Sequence, residues 1–162
     1  MALITDARRG MWDAIHNWPA LKVTNTDTKA TKFKRWFDGD ADAPLKRDIY
    51  PAFSEMPCIA VHGLGLQLDW QNNRQMRWPM TFVVKIWTPT WKLAANEELF
   101  EEVVKALYRS KNGSNVEYVR AASGFPVMAW GETEWTYVED DGQKAIQCET
   151  KVGLRTTFDP YA

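Results

Sequence analysis

The sequence predicts an α+β fold, a mostly antiparallel β-sheet packed against two helices, with an irregular arm in its N-terminal half. Three observations predict it. Apolar residues recur at helical spacing in two stretches, before Pro19 and over residues 94–109. Elsewhere they alternate with polar ones over long runs, as half-buried strands require. The turn signals between those runs are short, so successive strands are hairpin neighbours and the sheet is largely antiparallel. The chain has 162 residues and a formal net charge of −1. That length suits a single domain over residues 1–162.

The first helix is expected to start at Thr5 as N-cap, with Asp6 at the positive end of the helix dipole. Ala7, Met11, Ala14, Ile15 and Trp18 fall on one stripe, and Pro19 stops it. Residues 20–56 read as the irregular arm. They run from a Thr/Asn/Asp/Lys-rich stretch through KATKFKRWFD to the acidic DGDADAP. Such a segment is too polar for core and too aromatic for an inert linker.

Cys58–Gly63 reads as a short strand. Alternation then continues through Leu64, Leu66, Leu68 and Trp70, and resumes from Met76 through Trp78, Met80, Phe82, Val84 and Ile86. Both apolar sets must face one side, so Trp70 is placed opposite Met76 and Leu68 opposite Trp78. This requires a turn with an odd number of residues, such as Asn72-Asn73-Arg74. Leu99, Phe100, Val103, Val104, Leu107 and Tyr108 form the stripe of the second helix. Its four glutamates precede Lys105 and Arg109, the order the dipole favours, Glu101 and Lys105 pair at i,i+4, and Asn96 is the expected cap.

Past a short strand around Val116–Arg120, a long hairpin is expected to turn at Asp141-Gly142. Its register sets Tyr137 against Ile146, Trp135 against Cys148, Ala129 against Leu154 and Phe125 against Phe158. On the other face Glu132 meets Lys151 and Trp130 lies over Gly153. Glu134 falls opposite Glu149, a mildly unfavourable pair.

Composition excludes several classes. Nine Trp, seven Phe and five Tyr are too much apolar payload for a disordered chain. No run approaches the ~20 apolar residues of a membrane-spanning helix. MALITDARRG lacks the apolar core of an export signal. Two cysteines make no disulfide framework, and balanced charge argues against a dedicated nucleic-acid binder.

Motifs for chemistry are weak. Asp38, Asp40 and Asp42 imitate the start of a calcium loop, but Ala43 and Ile49 stand where Gly and Glu are needed. His16 and His62 have no partners at metal-ligand spacing. Gly63 and Gly65 lead into a strand rather than a phosphate-binding helix. No catalytic residue, metal or cofactor is therefore predicted, and the chain is read as a non-enzyme.

The aromatic residues carry the functional reading. Trp12, Trp70, Trp78 and Trp135 fit core patterns. Trp36, Trp87, Trp91 and Trp130 do not, and with Phe33 and Phe37 they are assigned to subunit contacts. Trp87, Trp91 or Trp130 could instead serve a small glycan-binding module. Lys29, Lys32, Lys34 and Arg35 read first as a solvated face, and otherwise as a phosphate contact or part of an arm docking on a neighbour.

The segments TDARRGMWDAIHNWP, MPCIAVHGLG, MTFVVKIWTPT, NEELFEEVVKALYRS and KVGLRTTFDPYA, in that order, resemble the layout of tail terminator and tail-completion (neck) proteins of tailed bacteriophages. The resemblance implies a virion protein that forms a homo-oligomeric ring, commonly hexameric. It would cap the tail tube and join it to the head–tail connector, with genome DNA passing through the lumen. Lys29, Lys32, Lys34 and Arg35 would then be candidate lumen contacts. Another neck or minor tail protein is the alternative within the same class.

Overall fold

The computed structural model describes residues 3–22, 32–37, 51–66, 69–70, 76–108 and 127–158. It is an α+β structure. Helix α1 spans Leu3–His16 and helix α2 Leu93–Tyr108. The strands are β1 (Arg35–Phe37), β2 (Cys58–Leu66), β3 (Asp69–Trp70), β4 (Met76–Thr88), β5 (Val127–Asp140) and β6 (Gln143–Phe158). They form one sheet in the order β1-β2-β4-β6-β5, with β3 paired to β4.

α1 starts before the expected cap, so Thr5 lies inside it. Leu3 extends the apolar stripe by one turn from Ala7, which explains the earlier start. The helix ends where Asn17 Nδ2 donates to the Asp13 carbonyl (2.8 Å) and a 3-10 turn follows at Pro19–Leu21. Asn96 is not the cap of α2. It sits in the first turn and is fully buried. Its Nδ2 reaches the Thr88 hydroxyl (3.1 Å), the Ile146 carbonyl (3.2 Å) and the Ile86 carbonyl (3.3 Å). It thus ties the helix to the ends of β4 and β6. The Glu101–Lys105 pair forms as expected, at 3.2 Å.

The hairpin register follows the apolar phase. Trp70 pairs with Met76 and Asp69 with Arg77, while Leu68 and the turn lie outside the described residues. Ile59 pairs with Ile86 and Val61 with Val84, and a shift between Gly63 and Gly65 carries the ladder into the register of β3. At the second hairpin Asp141 (φ 50°) and Gly142 (φ 78°) both adopt positive φ, the two-residue turn the sequence predicts. Tyr137 faces Ile146, Trp135 faces Cys148, and Glu134 faces Glu149.

Further from the turn the expected register fails. Trp130 pairs with Val152, not Gly153, and Ala129 with Gly153, not Leu154. Gly131 and Glu132 together oppose the single residue Lys151, a β-bulge. A Cβ on Gly131 would lie 3.1 Å from the Lys151 Cβ, so this close approach suits glycine. Phe125 and the strand expected around Val116–Arg120 lie outside the described residues.

The expected arm is only partly irregular. Lys32 N–H donates to the Leu21 carbonyl and Lys34 N–H to the Pro57 carbonyl, each at 2.7 Å. β1 then runs parallel to β2, with Trp36 beside Ile59 and Phe37 beside Ala60. A parallel neighbour needs a long connection, and the twenty residues between Phe37 and Cys58 supply it.

The sheet buries both faces. On one, Met11 and Ile15 of α1 and Val103 and Leu107 of α2 pack against Ile59, Val61, Phe82, Val84, Ile86, Cys148 and Val152. On the other, Met56 and Phe53 cover Phe37, Cys58, Ala60, Trp87 and Ala145. This second cluster takes up residues of opposite phase to the main core, Trp87 among them.

Candidate functional site

α2 lies over β4 and β6 and leaves much of β5 uncovered. Along β5 the side chains of Trp135 and Tyr137 share the helix-bearing face with Cys148 and Ile146. They are nevertheless 36% and 53% exposed. Phe100 of α2 meets Trp135 edge-on (5.5 Å, 81°) but covers only one side of it. Trp91, 39% exposed, lies between the end of β4 and the start of α2. Its indole N–H donates to the Val138 carbonyl (3.1 Å) and its ring meets Tyr137 edge-on (5.9 Å, 90°). The Lys144 ammonium sits 4.4 Å from the Trp91 ring centre, a cation–π contact. Trp91, Trp135 and Tyr137 therefore form an aromatic corner fixed by hydrogen bonds and ring contacts.

The backbone beside that corner is equally relevant. β5 pairs with β6 on one side and, among the described residues, with no strand on the other. Asp140 and Gln143 close a two-residue turn, so hydrogen-bonded pairs fall at even-numbered positions of β5 near it. The N–H and C=O groups of Thr133, Trp135, Tyr137 and Glu139 then point away from β6. Nothing among the described residues covers this edge, and a strand edge of this length is a template for another strand.

The predicted contact residues separate into groups. Phe33, Phe37 and Trp87 are buried within the chain's own core, and their assignment to subunit contacts is corrected. Phe33 sits in the helix-side cluster, Phe37 and Trp87 in the second one. Trp87 also donates its indole N–H to Gln147 Oε1 (2.9 Å). It cannot serve a glycan either. Trp36 is half-buried, stacked on His16 (3.7 Å, 12°) and tilted against Trp12 (4.5 Å). Trp91 is exposed as expected. The side chain of Trp130, and Lys29, lie outside the described residues. Lys32, Lys34 and Arg35 are exposed, and Arg35 lies over the Phe37 ring at 5.1 Å.

Trp135 is the converse case. Its alternation marks it as core, yet it stands on a strand that α2 touches, among the described residues, only through Phe100. Tyr137 was equally unmarked. Only the strand order reveals that their strand is an edge.

Of the groups that could do chemistry, the two thiols are inert. Burial, with Glu55 near Cys58 and Glu149 near Cys148, pushes both up to about 12, so neither is a thiolate at neutral pH. Burial lowers the His16 imidazole against a weaker upward pull from Asp13. The His62 side chain and the Asp38–Asp42 loop lie outside the described residues. Among the described residues no three His, Cys, Asp or Glu side chains gather as a metal site. No described helix is long and apolar enough to cross a membrane.

A shallow cleft of about 430 Å³ lies between α2 and the Ala20, Lys32 and Pro57 backbone turns, with Glu98, Glu101 and Glu102 on its wall. Its acidity is largely answered internally. Trp18 Nε1 donates to Glu102 (2.7 Å) and Lys105 reaches both Glu101 and Glu102 (3.2 Å each). The Trp18 hydrogen bond above all holds the Glu102 carboxyl below its usual range. The cleft thus reads as part of the packing between the N-terminal segment and α2.

No protein-family model matches this chain, and no curated protein matches it.

Proposed function

We propose that the chain is a structural subunit of a tailed-phage virion, a ring-forming protein of the tail-terminator type. The observation that carries this reading is β5: a fourteen-residue strand that stands at the sheet edge among the described residues, flanked by exposed Trp91, Trp135 and Tyr137. A monomer gains nothing from aromatic side chains in water beside open backbone groups, whereas a repeated contact covers both. The order of elements, helix, strand hairpin, helix, strand hairpin, supports the same reading through its resemblance to phage neck proteins.

In this role the protein performs no reaction. Copies close into a ring that seats on the tail tube, stops its growth and meets the head–tail connector, and genome DNA passes through the lumen. Its residence is the assembled virion, after synthesis in the host cell.

Light scattering coupled to size-exclusion chromatography, at micromolar concentration and above, tests the reading together with negative-stain microscopy. A mass several times that of one chain and ring-shaped particles are expected. A strict monomer at every concentration, alone and mixed with tail-tube protein, overturns it.

A further inference from the structure

We draw no further inference here: the strongest candidate, the exposed aromatic corner of Trp91, Trp135 and Tyr137 beside β5, belongs to the site already described, and nothing in the structure shows what covers it.

Discussion

Asn96 of α2 donates its side-chain amide to the Thr88 hydroxyl at the end of β4, 3.1 Å away, inside the core. The same amide nitrogen also faces the carbonyls of Ile86 and Ile146. One buried polar side chain thus positions the helix over two central strands.

Asn96→Ala removes these bonds and leaves a small cavity, and is expected to cost about 2–3 kcal/mol. Asn96→Asp is expected to cost more near neutral pH, because a carboxylate would face acceptor oxygens. Urea unfolding monitored by tryptophan fluorescence measures both. Equal stability of Asn96→Ala and the wild type would remove the tie from the account.

Gly131 is expected to resist substitution although it is exposed. The atom a new Cβ would meet is the Lys151 Cβ, close to the backbone and unable to swing aside. Gly131→Ala should cost about 1 kcal/mol and Gly131→Val more, by the same unfolding measurement. A stabilised Gly131→Val would mean that the bulge opens freely.

Trp87 and Trp135 are expected to behave oppositely. Trp87→Ala empties a fully buried site and breaks the bond to Gln147, costing about 3–5 kcal/mol. Trp135→Ala loses its edge contact with Phe100 and the burial of part of its ring, about 2 kcal/mol, less than at Trp87 because more than a third of Trp135 already faces water. On the proposed function, however, Trp135→Ala weakens assembly. Thermal unfolding and light scattering on both variants separate the two roles.

Acid is expected to act through His16. His16 is exposed, but contact of its ring with Trp12 and Trp36 strips part of its water and holds the imidazole below the ordinary 6.5. The unfolded chain therefore binds that proton first. Stability should fall as pH drops below about 6.5 and level off once the folded state is protonated too. His16→Phe keeps a ring against Trp36 and removes the titration. Its melting temperature should fall less between pH 7.5 and pH 5.5 than that of the wild type. Glu102, also lowered, contributes stability that is lost only below its ordinary 4.5, outside this window. Parallel pH profiles for the two proteins would count against a desolvated His16.

What the sequence by itself determined is local. Two helices follow from residues three and four apart, the Asp141-Gly142 turn from the ease with which Asp and Gly take positive φ, and the pairing of Trp70 with Met76 and Trp135 with Cys148 from side-chain alternation near a turn. Each depends on neighbours in the chain. The register drifted at Gly131, where a bulge moved the pairs of β5 that lie farther from the turn, and again between Val127 and Ala129, although a lone glycine in a strand pattern is the signal for the first. Only the tertiary structure decided which aromatic residues face water. Trp87 is off-phase for the main core, yet Met56 and Phe53 close over it. Trp135 is in phase, yet its strand is the last in the order and, among the described residues, α2 covers it only through Phe100. Alternation chooses the face of a sheet on which a side chain stands. Whether that face is covered depends on strand order and on segments far away in the chain.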